Sequence, residues 1–319
     1  MFEIYKSIYD QIKDEYDSSL ITEFWLGMSK QIGENFSTQG AALDGKFTHD
    51  PSIESTMVSN TGEIAKILPD VYAYLKARWP NPEWFIYLVR TMSTVRSSLA
   101  IQDITTMNIG DYDAVFTDWN MIYKLYELLH FLDEMPNVDM YKIRNIVEFG
   151  GGYGAMARLM TTLYPWINYT IIDLPSLLAV NYCYLNDWYY APFVGIAEHR
   201  VKPIKFNLVT AKNKAILTAP SHQVINFVPI GLAKEVDISG EMFIAVASLN
   251  EAPDKCINWV ADKDYFGAKC ALTVHWFNEV FSARLAEKHP IVNGIFKPFS
   301  SCQYSYFSKT YRAKKEVAE

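Results

Sequence analysis

The stretch Ile146–Leu174, IVEFGGGYGAMARLMTTLYPWINYTIIDL, decides the fold of this chain. An apolar run enters a cluster of four glycines, and a second, β-rich run ends at Asp173. Between them, apolar residues from Met156 to Leu163 recur at helical spacing, which predicts a helix that ends near Tyr164. The stretch therefore predicts strand, helix and parallel strand, the repeating unit of a doubly wound α/β sheet.

The turn between the first strand and the helix consists of Gly150, Gly151, Gly152, Tyr153 and Gly154. A tight turn out of a buried strand needs positive φ and a close approach of backbone to ligand, which glycine permits at low cost. Such a turn at the start of a helix is how α/β folds hold a nucleoside-bearing cofactor. Residues 150–154 are therefore predicted to contact a cofactor through their backbone.

Two cofactors fit the same turn. Gly150, Gly152 and Ala155 match the G-x-G-x-x-G/A pattern of NAD and FAD sites. Glu148, Gly150, Gly152 and Gly154 also match E-x-G-x-G-x-G, which is typical of S-adenosylmethionine (SAM) sites. A carboxylate beside the turn repels a pyrophosphate but attracts the ammonium and sulfonium groups of SAM. Glu148 therefore favours SAM, and an NAD-dependent oxidoreductase is the alternative.

Asp173 and Leu174 follow the second strand. An acid at the carboxyl end of this strand faces the crevice of the sheet, where it can accept both hydroxyls of a ribose. The alternative is that Asp173 caps the helix that begins at Pro175, since Asp is favoured at the cap and Pro in the first turn. The two roles are compatible.

These residues carry a family resemblance. The segments EFGGGYGA (148–155), Tyr164-Pro165, IDLP (172–175) and NYCYL (181–185) together resemble the sugar O-methyltransferases of bacterial polysaccharide and natural-product clusters. The Asp-Leu-Pro step is also similar to small-molecule O-methyltransferases of the caffeate type. The resemblance covers about residues 141 to 190 of the chain.

The resemblance implies a class I SAM-dependent methyltransferase with a Rossmann-like, seven-stranded sheet. It also implies SAM as the methyl donor and a hydroxyl on a sugar or sugar-containing small molecule as the acceptor. In this interpretation Glu148 holds the methionine ammonium and Asp173 holds the ribose. A binding protein that keeps the SAM fold without turnover is a further alternative.

Catalysis of methyl transfer asks the protein to align the acceptor and to take one proton. The predicted fourth strand ends at Leu249, and Asn250 and Glu251 follow it at the crevice. Asn250 is a candidate to orient the acceptor or SAM, and Glu251 is the first candidate for the base. The same residues could simply form a turn into a helix near Pro253. The resemblance favours function, since that family tends to carry an acid in a Ser-x-x-Glu arrangement here.

Two histidines are further candidates for the base. His222 follows a predicted third strand and His275 ends a predicted fifth, and histidine titrates near neutral pH. The alternative for each is a hydrogen-bonded structural histidine. The sequence has no H-E-x-x-H motif or close His/Asp cluster, so no metal site is predicted. A requirement for Mg²⁺ stays open, because carboxylates scattered after strands suffice for that ion.

The chain is predicted to divide near residue 140 into a helical cap or acceptor-binding region (1–140) and a SAM-binding α/β domain (141–319). Helices are expected at Thr61–Trp79, Pro82–Ile101 and Thr117–Met135, and a loop or lid at about Glu34–Thr56. Strands are predicted at 144–149, 169–173, 214–219, 243–249, 270–276, 293–298 and 303–311. Aromatic residues of the helical region are expected to form acceptor-pocket walls or to pack in the core; they are Phe24, Trp25, Trp79, Trp84, Phe85, Trp119 and Tyr123.

Composition excludes several classes of protein. The chain has 319 residues, a net charge of −7 and no basic run of the kind that binds a nucleic-acid backbone. Its four cysteines form no C-x-x-C pair and are predicted to be buried and reduced. No signal peptide and no apolar run of membrane-spanning length is recognisable. We therefore expect a cytoplasmic protein that acts on a small-molecule or glycan acceptor, with a homo-oligomer as a possibility.

Overall fold

The computed structural model describes residues 2–38, 73–74, 77, 104–109, 112–190, 204–218, 223–276, 279–296 and 302–309. Two helices come first, α1 (Phe2–Ile12) and α2 (Glu23–Thr38). An antiparallel hairpin of β1 (Ile104–Ile109) and β2 (Tyr112–Asp118) then leads directly into α3 (Trp119–Glu134).

Strands and helices alternate through the rest of the chain, as the sequence predicts. The elements are β3 (Asn145–Phe149), α4 (Ala155–Leu163), β4 (Asn168–Asp173), α5 (Pro175–Tyr190), β5 (Lys205–Leu208), β6 (Val224–Pro229), β7 (Met242–Val246), α6 (Asp254–Asp262), β8 (Cys270–Trp276), α7 (Glu279–Lys288), β9 (Ile291–Ile295) and β10 (Cys302–Ser308). Short helical turns lie at Met140–Lys142, Leu249–Glu251 and Asp264–Gly267.

The main sheet has the strand order β5-β6-β4-β3-β7-β8-β10-β9. The first six of these strands pair in parallel, and β10 is antiparallel to both of its neighbours. β3 is the switch point of the sheet, since β4 lies on one side of it and β7 on the other. A crevice therefore opens beyond the carboxyl end of β3, where open α/β sheets bind their ligands.

The strand order confirms the predicted Rossmann-like α/β sheet, with eight strands rather than seven. The extra strand is β5, which pairs with β6 at the edge. The predicted helix after the glycine turn is also confirmed, since α4 ends at Leu163 and Tyr164 is its C-cap.

The predicted strand at 214–219 is wrong over its described residues, because 214–218 form no strand. The strands β5 and β6 flank that segment instead. The sequence pattern does not predict β6 because a polar residue, Asn226, interrupts its apolar run VINFVP. In the fold Asn226 is fully buried, and its amide oxygen accepts from Leu217 N (2.9 Å) and from Asn207 Nδ2 (2.8 Å). These bonds join residues distant in sequence, so local patterning cannot reveal them.

The predicted helix Thr117–Met135 is confirmed as α3, although its first two residues belong to β2. The hairpin before it was not predicted. The predicted loop at Glu34–Thr56 starts too early, because α2 continues to Thr38. The remainder of that loop, and all but three positions of the two helices predicted between 61 and 101, lie outside the described residues.

The two N-terminal helices pack directly on the sheet domain. The buried face of α1 consists of Tyr5, Ile8 and Ile12. Both α1 and α2 contact α5. The hydroxyls of Ser29 on α2 and Ser176 on α5 lie 2.6 Å apart. Because these helices share the core of the sheet domain, the division near residue 140 stays a prediction.

None of the four cysteines, Cys183, Cys256, Cys270 and Cys302, forms a disulfide, and all four are buried, as predicted. Among the described residues, no helix has the length and apolar character to cross a membrane. Within the same residues, no three His, Cys, Asp or Glu side chains form a group that could hold a metal ion.

Candidate active site

A cavity of about 230 Å³ lies beyond the carboxyl ends of the central strands. It brings together most of the residues that the sequence predicts for the site: Glu148, Gly150, Gly151, Gly152, Tyr153, Asp173, Leu174 and Glu251. Gly154 lies just beneath, as the N-cap of α4. The cofactor and base predictions thus converge on one cavity.

The glycine turn is locked between β4 and the segment after β7. Gly150 N donates to Ile172 O at 2.8 Å, and Gly150 adopts a φ of +74°. A Cβ at this position would lie 2.2 Å from Ser248 Cβ, and the Ser248 hydroxyl donates to Phe149 O. Glycine is therefore required at position 150 by both backbone conformation and space.

Asn181 supports the turn from the helix behind it. Its amide nitrogen donates to Gly152 O at 2.7 Å and to Leu177 O at 2.9 Å. Its amide oxygen would lie 3.0 Å from a Cβ on Gly151 and 3.1 Å from one on Gly154. Asn181 belongs to the NYCYL segment that carries the resemblance, and the sequence predicts no role for it. These contacts show that Asn181 holds the glycine turn in its conformation.

Asp173 faces the glycine turn. Its carboxylate is buried and accepts from Leu174 N at 2.7 Å and from Gly152 N at 3.1 Å. Burial raises the pKa of Asp173 to about 7, against the opposing effect of these backbone hydrogen bonds. Leu174 precedes α5, so the carboxylate does not bond to the first turn of that helix. Each carboxylate oxygen keeps a lone pair with which it can accept a ligand hydroxyl.

Glu148 lies at the end of β3, one residue before Phe149. Its carboxyl group is 3% exposed and accepts from the Tyr169 hydroxyl at 3.0 Å. Burial is the main cause that raises the pKa of Glu148 to about 8, and the hydrogen bond from Tyr169 opposes it. A cation in the cavity would favour the ionised form of this group, so Glu148 is suited to bind a positively charged ligand.

Lys124 and Glu127 of α3 also line the cavity, and sequence reasoning missed both. Lys124 Nζ lies 3.0 and 3.2 Å from the two carboxylate oxygens of Glu127, which is fully buried. Burial raises the pKa of Glu127, while Lys124 opposes that shift. A Lys-x-x-Glu pair within the otherwise apolar run MIYKLYELL was the available signal, since buried charges require partners.

Glu251 stands on the opposite wall, on the turn Leu249–Glu251 that joins β7 to α6. It is half-buried, and its carboxylate accepts a hydrogen bond from the Trp25 side chain of α2. Burial raises the pKa of Glu251, and the bond from Trp25 lowers it in part. The predicted turn into a helix is therefore present, and it carries an acid that faces the cavity.

Aromatic residues form the walls on this side. Trp25, Tyr123 and Trp276 line the cavity, so two of the N-terminal aromatics predicted as pocket walls or core do form its walls. Ala247, directly after β7, has a φ of +49° and lines the cavity too. A non-glycine residue in this conformation stores strain, which proteins tend to retain at functional sites.

The other candidates lie apart from the cavity. His275 is 1% exposed, and its Nδ1 lies 2.9 Å from Trp276 O while its Nε2 lies 3.0 Å from Ser305 Oγ. A histidine held in this way cannot take a proton from a ligand in the cavity without breaking one of these bonds. Asn250 is half-buried and does not line the cavity. His222 lies outside the described residues.

Among the described residues that line the cavity, most of the Asp, Glu, Lys, Arg and His side chains are acidic. Four are carboxyl groups, Glu127, Glu148, Asp173 and Glu251, and one is the amine of Lys124. Such a cavity favours a cationic ligand and disfavours a pyrophosphate. A cavity of this charge, at the crevice of a doubly wound sheet, is typical of a site for a cationic nucleoside cofactor.

Residues 122–188 match the family model of the O-methyltransferase domain. The matched segment runs from α3 through the glycine turn and β4 into α5, so it holds Glu148, Asp173 and the ion pair of α3. The chain is thus similar to O-methyltransferase domains over about a fifth of its length.

No match was found among the curated proteins. Similar solved structures include PigF with SAH (11% identity, TM-score 0.35), human N-acetylserotonin methyltransferase with SAM (12%, 0.34) and the pyocyanin biosynthetic protein PhzM (10%, 0.37). Each of the three alignments covers 59% of this chain. They cover 64% of the PigF chain, 55% of the N-acetylserotonin methyltransferase chain and 57% of the PhzM chain. The chain thus matches less than two thirds of the length of these neighbours.

Proposed function

We propose that this protein transfers the methyl group of SAM to a hydroxyl of a sugar or sugar-containing small molecule. One observation carries the proposal: the glycine turn, the buried acids Glu148 and Asp173, and the half-buried acid Glu251 line the same cavity. The first three features suit a cationic nucleoside, and the last suits proton removal from an acceptor.

In the donor half, Asp173 binds the ribose hydroxyls and Glu148 binds the methionine ammonium, directly or through water. The backbone of residues 150–154 lies against the cofactor. The role of Asp173 is supported by its burial and by the two backbone amides that hold its carboxylate in place. Glu148 supports its role because it is buried, lines the cavity and carries no ion pair in the described residues.

In the acceptor half, Glu251 is the general base. SAM supplies a methyl group already activated by the sulfonium, so the protein needs to align the acceptor oxygen and remove its proton. As the carbon–oxygen bond forms and the carbon–sulfur bond breaks, the hydroxyl proton passes to Glu251. Trp25 lowers the pKa of Glu251 in part, which favours the ionised carboxylate that this step needs.

The aromatic walls support a sugar-like acceptor. Trp25, Tyr123 and Trp276 give flat apolar faces on which the C–H surface of a sugar ring can stack. The resemblance of residues 141 to 190 to sugar O-methyltransferases points the same way. An NAD-dependent oxidoreductase is disfavoured by the excess of acids around the turn, which would repel the cofactor pyrophosphate.

Isothermal titration tests the donor assignment. Wild-type protein should bind S-adenosylhomocysteine (SAH), and Asp173→Ala should weaken this binding at least about tenfold, since a hydrogen bond to a charged group contributes about 1.5–3 kcal/mol. Asp10→Ala, at an exposed position of α1, is the matched control and should bind as wild type does. Binding of NADH together with no binding of SAH would overturn the assignment.

Transfer of labelled methyl from SAM tests the reaction. Methyl glycosides and free sugars should accept the label in preference to simple phenols. Glu251→Gln should keep SAH affinity and lose about 10²–10⁴-fold in turnover, the usual contribution of a positioned base. Glu279→Gln, on the exposed start of α7, is the control. SAH binding without transfer to any acceptor would instead support the binding-protein alternative.

A further inference from the structure

One part of the cavity has no role in the proposed reaction. The ion pair of Lys124 and Glu127 stands in its wall on α3, in the same cavity as Glu148. The Lys124 side chain is 15% exposed and that of Glu127 is 0% exposed. An ion pair at this depth loses much hydration and is weak evidence of a stabilising role. Its position in a ligand cavity suggests recognition instead.

The charges of the donor define what such a pair can recognise. The methionine end of SAM carries an ammonium and a carboxylate on one carbon. Glu148, Glu127 and Asp173 all suit the ammonium or the hydroxyls, but each of them repels the carboxylate. Lys124 is the single cationic side chain among the described residues that line the cavity.

The glycine turn offers the carboxylate a second possible partner. Backbone amides at the start of α4 attract anions, as helix N-termini do. However, Gly152 N already donates to the Asp173 carboxylate, and Gly154 N donates to Gly151 O at 2.9 Å. The amides of Gly152 and Gly154 are thus engaged, and Lys124 can offer the carboxylate a full positive charge in the same cavity.

We propose that Lys124 binds the α-carboxylate of the methionine end of SAM, and that Glu127 holds the ammonium group of Lys124 in position. The pair of Lys124 and Glu148 is then complementary to the two opposite charges of an amino acid. Tyr123, which also bonds to Glu127, braces the arrangement from the preceding position of α3. This proposal rests on SAM as the donor and extends the proposed function.

Three ligands separate the carboxylate from the rest of the donor. They are SAH, its decarboxylated analogue, which keeps the amine, and 5′-methylthioadenosine, which lacks the whole amino-acid end. Wild-type protein should bind SAH at least about tenfold more tightly than the decarboxylated analogue, as expected for loss of a charged hydrogen bond. Equal affinity for these two ligands would overturn the proposal, even if no variant could be purified.

Variants of Lys124 test whether this residue causes the preference for SAH over the decarboxylated analogue. Lys124→Met should lose about 10- to 100-fold in SAH affinity while binding of the decarboxylated analogue changes less than about threefold. Lys124→Arg keeps the charge and should retain much of the preference. Lys142→Met is the matched control, since Lys142 forms an exposed pair with Asp139 at the same sequence spacing.

The outcomes distinguish this proposal from the proposed function. An equal loss of affinity for all three ligands in Lys124→Met would assign Lys124 a structural role and overturn the carboxylate site, with SAM still the donor. Wild-type protein that binds none of the three ligands would overturn the proposed function itself.

Discussion

The two halves of the cavity differ in how the chain builds them. The cofactor half comes from one contiguous stretch, in which Glu148, the glycine turn and Asp173 lie within about 30 residues. The acceptor half is assembled from distant segments: α2 gives Trp25, α3 gives Tyr123, the turn after β7 gives Glu251 and the end of β8 gives Trp276. The cofactor half can be recognised in the sequence as a motif, whereas the residues of the acceptor half come together only when the chain folds.

This difference has a physical basis. A cofactor that recurs in many proteins is held by backbone geometry, and backbone geometry limits the residues allowed at a turn. An acceptor is recognised by side chains on loops and helices around the crevice, which can vary without harm to the sheet. The donor half should therefore tolerate substitution least, and the acceptor half should change specificity more readily than stability.

The strongest test of this contrast is Gly150→Ala. Its φ of +74° and its 2.2 Å approach to Ser248 Cβ should lower the free energy of unfolding by about 2–4 kcal/mol and abolish SAH binding. Urea denaturation and titration measure the two effects. Gly267→Ala separates the causes, since its φ is +76° but no atom lies within 4 Å. Gly27→Ala has space and a helical position, and should stabilise by about 0.5–1 kcal/mol.

Glu148→Gln tests the charge of the donor half. Glu148 must lose its proton to attract the ligand ammonium, and its pKa is about 8, so SAH affinity should rise by up to about fiftyfold from pH 6 to pH 8. In Glu148→Gln the affinity should be lower and this rise smaller. A wild-type affinity that is flat across this range would contradict the assignment of Glu148.

The same group affects stability with the opposite sign. Its raised pKa means that the folded protein binds the proton more tightly than the unfolded chain does. The free energy of unfolding of the ligand-free protein should therefore fall as pH rises from about 4.5 to 8, and less so in Glu148→Gln.

Trp25→Phe tests the acceptor half without removing an aromatic wall. The lost hydrogen bond should let the pKa of Glu251 rise further, so the acid limb of kcat/KM should move to higher pH by up to about one unit. Activity at higher pH should stay within a few-fold of wild type. Trp259→Phe, on α6 and packed against Phe266, should leave the profile unchanged. An unshifted limb in Trp25→Phe would separate Trp25 from the base.

The smallest effect is expected at the surface that anchors the N-terminal segment. Asp17 forms an ion pair with Lys234 at 2.7 Å, and although burial acts to raise its pKa, this partner lowers it to about 2. Asp17→Asn should lower the free energy of unfolding at pH 7 by less than about 1 kcal/mol, as exposed pairs do. Because the pKa is lowered in the folded state, the difference should vanish as pH falls through about 2. Urea denaturation at both pH values measures it.

Several features could not be predicted, for the same reason in each case. Asn226 hides β6 because its hydrogen bonds reach Asn207 and Leu217, and Glu127 belongs to the site because α3 packs over the crevice. His275 stands at a strand end, as predicted, but its side chain bonds to Ser305 across the neighbouring strand. Sequence can place a residue on an element, whereas its partner on another element follows from packing.

Strand and helix periodicity and the steric limits of a tight turn are local, so the sequence alone predicts the α/β sheet, the glycine turn and the acids at its two sides. Packing of distant segments brings Glu251 to the same cavity, brings Trp25 to it from the N-terminal helices, and lets Lys124 add a positive charge to an acidic site. These relations join segments as far apart in sequence as Trp25 and Glu251. Burial, which sets the pKa of each acid, arises when those segments pack.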